Sequence, residues 1–279
     1  MSEGTTMEKQ MPRSIVRLAH GRLSYLENGS GTPVLFLHGL NGNGSSWVDQ
    51  LSGLAASMKM WAWDAPGYGQ SDVAGDSVTE LAKVAIEFLE TCATRPVNLV
   101  GHSMGGLVAM KVAIMKPELV RRLVLSCTHP GHGLTDGANE RYQRRLRELE
   151  ELPREEYGRR RAKGMLPDET SEALFQRVAA IAAESRPGGV VNAAWAIQTA
   201  NLIPELARIK AKTLVITCDK DSVAPLKKAE PLLEHIPDVQ HLELSGLGHA
   251  PYLEDAKRFN AVVSDFLLGS GQPVIQAKS

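Results

Sequence analysis

Cysteine is scarce in this chain: Cys92, Cys127 and Cys218 are the only three in 279 residues, far apart and outside any C-x-x-C spacing. That scarcity excludes a disulfide framework and a zinc site of the usual spacing, and it suits a reducing cytoplasm, so neither metal nor cofactor is expected. A charge bias is missing too. The 31 Lys and Arg against 32 Asp and Glu leave a formal net charge of −1, which gives no electrostatic reason for a nucleic acid or an anionic membrane as partner. The expected partner is a small neutral or weakly charged molecule. No apolar run approaches the roughly 18 residues of a membrane span, and Met1 to Pro12 is polar, without the apolar core of a signal peptide. No repeat is visible, and oligomeric state is not legible. What is there, 43% hydrophobic and 23% charged residues, suits one large globular α/β domain with an insertion.

Two short alternating segments, Ile15 to Leu18 and Arg22 to Leu26, separated by His20-Gly21, predict a β-hairpin at a sheet edge. After the Asn28-Gly29-Ser30-Gly31 turn the pattern becomes strand and helix in alternation. Strands are expected at Val34 to Leu37, Met60 to Trp63, Val97 to Val100 and Leu119 to Cys127, with helices at Ser45 to Ser57, Ser77 to Cys92 and Ser103 to Lys116. The rhythm returns with Thr213 to Thr217, Ala224 to Ile236, Val239 to Leu244 and Tyr252 to Leu268. Uninterrupted apolar strands between amphipathic helices predict a mostly parallel sheet covered on both faces. Residues 14–131 and 207–270 form this core, and 1–13 and 271–279 are expected to be disordered tails.

Residues 132–206 break the alternation and contain no recognisable strand, so they read as a helical cap over the carboxyl ends of the strands, where open α/β sheets bind ligands. Its Arg-rich run, Arg141, Arg144, Arg145, Arg147, Arg154, Arg159, Arg160 and Arg161, reads mainly as a solvated helix face compensated by interleaved glutamates. One arginine remains available to a substrate carboxylate.

The chemistry starts at Gly101-His102-Ser103-Met104-Gly105, a G-x-S-x-G between a strand and a helix. The glycines let the backbones close up, so the Ser103 hydroxyl can stand clear at a helix N-terminus. A serine nucleophile needs a base, a carboxylate to orient that base, and donors for the oxyanion. His249 follows the last strand in Gly248-His249-Ala250-Pro251 and is the best-placed base; His102 is expected to point away from Ser103. Asp221 follows the strand Thr213 to Thr217, whereas Asp219 reads as a turn former. The other strand end that could supply an acid offers only Cys127 and Thr128. The oxyanion donors should be the backbone N–H groups of Met104 and of Leu40, in His38-Gly39-Leu40-Asn41-Gly42. Nucleotide binding is disfavoured, because neither G-x-x-x-x-G-K-[ST] nor a dinucleotide fingerprint occurs. Substrate contacts are expected from His38, Gly39, Trp47, Tyr68, Met104, Cys127, Trp195 and Tyr252, with cap core as the other reading of Trp195.

With His38-Gly39, Asp64-Ala65-Pro66-Gly67-Tyr68-Gly69-Gln70-Ser71-Asp72, the serine turn, Asp221 and Gly248-His249 in this order, the chain resembles the α/β-hydrolase superfamily from about Ser14 to Leu268. The resemblance implies an eight-stranded sheet with an antiparallel second strand, a helical cap after the sixth strand, a triad of Ser103, Asp221 and His249, and no cofactor. The Ser-Met-Gly-Gly turn, the compact cap and the stretch from Pro187 to Ile197 are most similar to enol-lactonases and to ring-cleavage-product hydrolases of aromatic catabolism. Cys218 stands where related chains commonly carry glycine. Ser103 disfavours haloalkane dehalogenases and epoxide hydrolases, which use aspartate there; lyases, haloperoxidases and slow-turnover ligand sensors of the same fold keep the serine. The expected activity is hydrolysis of a small ester, lactone or enol-lactone through an acyl-enzyme, with carbon–carbon bond hydrolysis and ligand sensing as alternatives.

Overall fold

Eight strands form one sheet in the computed structural model, which describes residues 11–94, 96–134 and 138–269. They are β1 (Ser14–Leu18), β2 (Gly21–Asn28), β3 (Thr32–Leu37), β4 (Met58–Trp63), β5 (Val97–His102), β6 (Val120–Ser126), β7 (Lys212–Cys218) and β8 (Val239–Leu244). Their spatial order is β1-β2-β4-β3-β5-β6-β7-β8. Strand β2 runs antiparallel to β1 and β4, and the pairs from β4 to β8 are parallel. The hairpin therefore forms the edge, as its alternating pattern predicts.

Side-chain alternation explains why the inner strands are apolar without interruption. In β3, Leu35 and Leu37 enter one core with α2 (Val78–Cys92) and α3 (Met104–Met115), while Val34 and Phe36 enter another on the opposite face. The same division holds for Trp61 and Trp63 against Met60 and Ala62 in β4. With both faces covered, either parity must be apolar. The second face is covered by α1 (Val48–Gly53) and, near the carboxyl terminus, by residues from Phe259 to Leu267. Among the described residues no helix is long and apolar enough to cross a membrane.

The insertion between β6 and β7 contains α4 (Ala138–Glu151), α5 (Arg154–Met165), α6 (Glu172–Ala183) and α7 (Pro187–Thr199). Gly189 of α7 meets Gly67 of the loop after β4 so closely that a Cβ on either would come within 2.5 Å of the other's backbone. This is what the two glycines provide: the insertion rests directly on the core. After β7 come α8 (Leu226–His235), α9 (Pro251–Glu254) and α10 (Ala256–Leu268).

Two expected helices differ. Ser45 to Ser57 is instead a 3-10 turn over Gly44–Trp47 followed by the short α1, with Asn43 capping the turn. Tyr252 to Leu268 divides into α9 and α10 at Asp255, whose side chain accepts from the Arg258 N–H and starts the second helix. The expected tails lie outside the described residues except for 11–13. Arg13, placed with the tail, is tied down: its Nε donates to buried Asp64 at 2.8 Å and its Nη2 to Ser45 at 3.1 Å.

Candidate active site

Ser103 sits between β5 and α3 at φ 51°, in the left-handed region. Its surroundings hold it there. A Cβ on Gly101 would lie 2.4 Å from the Gly105 carbonyl, and one on Gly105 would lie 2.0 Å from the Leu37 carbonyl, so only glycine lets α3 abut β3 and β5. The Ser103 N–H donates to Ser126 O at 3.0 Å, and Thr128 Oγ1 donates to Ser103 O at 2.7 Å. Thr128, unable to serve as the acid, braces the turn.

His249 Nε2 lies 3.1 Å from Ser103 Oγ, and its Nδ1 lies 2.9 Å from Asp221 Oδ2. Three separate strand ends, after β5, β7 and β8, thus bring one hydroxyl, one imidazole and one carboxylate into line. Asp221 Oδ1 accepts from the N–H groups of Val223 and Ala224 at 2.8 and 2.9 Å. Burial raises the Asp221 pKa, but the His249 hydrogen bond and charge with these two N–H groups outweigh it and leave it at about 2. An ionised Asp221 only accepts, so Nδ1 carries the imidazole proton and, in the neutral ring, Nε2 is the acceptor facing Ser103. Asp219 takes a different part. It is exposed, and its carboxylate accepts from Ser245 Oγ and the Gly246 N–H, joining the loops after β7 and β8.

The base is braced by a residue that the sequence reading missed. Glu254 accepts from the N–H groups of Gly248 at 2.7 Å and Ala250 at 2.9 Å, one on each side of His249. The N–H of His249 itself donates to Met165 O, at the end of α5, so the insertion also holds the base. Glu254 five residues after a Gly-His, at the first turn of a following helix, was the available signal.

The loop after β3 runs beside the serine: a Cβ on Gly39 would lie 3.3 Å from Ser103 Cβ. Gly39 O accepts from Gly42 N at 3.0 Å and lies 2.7 Å from His38 Nδ1. Because Ala65 N–H must donate to His38 Nε2, at 3.0 Å, the imidazole proton is on Nδ1 and it donates to Gly39 O. The peptide is trans, so a carbonyl pinned on one side turns the Leu40 N–H to the other. Tyr68 OH donates to Leu40 O at 2.7 Å and fixes the next peptide as well.

Beside Ser103 opens a cavity of about 480 Å³, whose lining includes Gly39, Leu40, His102, Ser103, His249 and Tyr252. Of the eight residues expected to contact substrate, Gly39 and Tyr252 line it and six do not. His38 is fully buried as the brace just described. Trp47 is fully buried against Phe36 and Tyr252. Tyr68 reaches the cavity only through its bond to Leu40. Cys127 is buried with its sulfur 3.6 Å from that of Cys218. Trp195 packs on Tyr142 and is 37% exposed. Met104, at 1% exposure, is core. His102, expected to turn away, lies on the wall with its ring 4.8 Å from both His249 and Tyr252.

The largest departure concerns the arginines. Arg141, Arg144 and Arg145 recur at i, i+3 and i+4 on α4, and with Arg160 and Arg161 they line the cavity, while the interleaved Glu140, Glu150 and Glu151 do not. The helical spacing was visible in the sequence, but which way that face turns was not.

Burial makes several histidines proton-averse. Burial lowers His38 to about 4, and burial followed by His132 and Lys228 lowers His129 to about 3. The unfolded chain takes up these protons near 6.5, so stability is full above that pH and is lost as pH falls toward 4. His38 alone is worth on the order of 3 kcal/mol across that window. Asp221 acts in a separate window: its contribution is present above 3.8 and is lost as pH falls toward 2. Thermal unfolding midpoints measured in matched buffers should therefore decline steadily from pH 7 to pH 4; a level profile would contradict the buried neutral imidazoles.

A family model described as "Alpha/beta hydrolase family" matches residues 34–262. The putative carbamate hydrolase RutD of Stutzerimonas stutzeri is 27% identical over 261 residues, covering 89% of this chain and 94% of that protein. The (E)-2-((N-methylformamido)methylene)succinate hydrolase of Acinetobacter baylyi is 34% identical over 121 residues, 43% of this chain and 44% of that protein. Among solved structures, the enol-lactonase from Burkholderia xenovorans LB400 superimposes with a TM-score of 0.84 at 21% identity, covering 91% of this chain and 100% of that one. At that identity the likeness concerns the fold.

Proposed function

This chain belongs to the alpha/beta hydrolase family, and we propose that Ser103, His249 and Asp221 hydrolyse a small ester or lactone through an acyl-enzyme. The observation that carries the reading is the continuous line from Ser103 Oγ to His249 Nε2 at 3.1 Å and from His249 Nδ1 to Asp221 at 2.9 Å, opening on the cavity. His249 takes the proton as Ser103 Oγ attacks the carbonyl carbon, and Asp221 stabilises the imidazolium so formed. The oxyanion is held by the N–H groups of Leu40 and Met104, which are preset and need no rearrangement as charge develops. Collapse breaks the bond to the leaving oxygen, which receives the proton from His249. Water, deprotonated by the same imidazole, then releases the acid.

The test is to quench the protein during turnover of 4-nitrophenyl acetate and map the acyl group by peptide mass spectrometry. An acetyl group on the peptide containing Ser103, with a burst of one nitrophenol per active molecule, is expected. Turnover with no acylated serine, or with acylation elsewhere, would overturn the mechanism.

A further inference from the structure

Six cationic side chains line the cavity, Arg141, Arg144, Arg145, Arg160, Arg161 and Lys228, and among the described residues no Asp or Glu does. In a chain with a net charge of −1 such a concentration is not a reflection of composition. Among the described residues one carboxylate behind the wall compensates it. Glu148, 8% exposed, accepts from Arg160 at 3.2 Å and from Arg161 at 2.5 Å, so those two serve largely to join α4 to α5.

The other four have no carboxylate partner among the described residues. Arg145 is half-buried and donates to the neutral Asn41 Oδ1 at 3.5 Å; Asn41 also accepts from Tyr157 OH at 2.9 Å. Lys228 Nζ donates to Val223 O at 2.7 Å, a neutral carbonyl. Arg141 and Arg144 are exposed at the mouth. The lining also includes the apolar side chains of Met165, Val178, Ile181, Ala194 and Ile197.

We propose that the substrate is an anion, an ester or lactone carrying a carboxylate a few carbon atoms from its scissile carbonyl, with the carboxylate held by Arg145, Arg141 and Lys228 as the carbonyl meets Ser103. The inference rests on the serine hydrolysis proposed above and specifies what it acts on. A guanidinium offers paired N–H groups that match a carboxylate, and cations grouped in a cleft with low-dielectric walls focus their field on its interior. Like charges crowded together without a counter-ion are unfavourable by themselves. After burial, the charges of Arg141 and Lys228 lower His132 to about 4, and after burial Arg141 lowers Lys228. An arriving carboxylate relieves that repulsion, so part of the binding energy is available only to an anion. Bound far from the reacting carbon, it orients the carbonyl for attack.

Phenyl hemiglutarate and phenyl pentanoate, nearly matched in shape and differing in one charge, test this. The anion should be preferred about tenfold or more in kcat/KM at low ionic strength, since one charge-assisted contact supplies that factor. Added salt should erode the preference. Arg145→Gln and Arg141→Gln should each lower the hemiglutarate-to-pentanoate ratio. An equal or reversed preference in the unaltered protein would overturn the proposal. Calorimetric titration of the Ser103→Ala protein with glutarate and with dimethyl glutarate separates this proposal from the serine mechanism. Binding of the dianion alone, weakened by Arg145→Gln, supports it whether or not Ser103 is acylated. Equal binding of both, or of neither, refutes it even if Ser103 is acylated as expected.

Discussion

Ser103→Ala should lower kcat by at least ~10³-fold and abolish covalent labelling by a fluorophosphonate, while the thermal unfolding midpoint stays close to that of the unaltered protein. The alanine keeps Cβ, so the packing around the turn is preserved. What is lost is the hydroxyl oxygen that His249 Nε2 reaches, at 3.1 Å. A variant that still turns over esters at the original rate, or still labels at a serine, would remove Ser103 from the mechanism and leave the line of three groups without a chemical task.

Asp221→Asn should cost about 10³- to 10⁴-fold in kcat, and Asp219→Asn should cost little. The contrast follows from the partners. An asparagine oxygen at 221 can keep the bonds from Val223 and Ala224, which leaves the amide NH₂ facing His249 Nδ1. The ring must then accept at Nδ1 and carry its proton on Nε2, where it can no longer receive one from Ser103. Asp219 accepts from the loop after β8 and lies on the surface, so an amide there weakens a loop contact without reversing a tautomer. Steady-state kinetics on the two variants decides between them: comparable losses would mean that Asp221 does not orient the base alone, and a larger loss for Asp219 would transfer the role to it.

The sheet was legible because burial on both faces makes the side chains in the middle of β3 to β7 mainly apolar, a constraint that survives in sequence as short apolar runs. Ser103, Asp221 and His249 were legible for another reason. Each follows the carboxyl end of a strand, and strand ends are recoverable once the runs are found. The lining of the cavity depends on something neither pattern encodes, the rotation of each insertion helix about its own axis. Thus Trp195 was placed at the cavity, which it does not line, and Arg141, Arg144 and Arg145 were read mainly as a solvated face although they line it. Proximity in sequence misled as well: Trp47, Tyr68 and His38 belong to loops around the serine, yet their side chains support those loops from behind. Glu254 was missed because its effect passes through backbone N–H groups on both sides of His249, which carry no residue-type signature.

The left-handed backbone at Ser103 sets the interests of the fold against those of the chemistry. A residue with a Cβ costs on the order of 1–3 kcal/mol in such a conformation, and glycine, the residue that fits it most easily, has no oxygen. Gly101, Gly105, Ser126 and Thr128 hold the turn in place and so make that cost bearable. The residue that best suits the local backbone at position 103 therefore lacks the hydroxyl that the proposed hydrolysis uses. A library selected only for robustness is expected to drift toward glycine there, and selection for the proposed hydrolysis is expected to hold the serine in place.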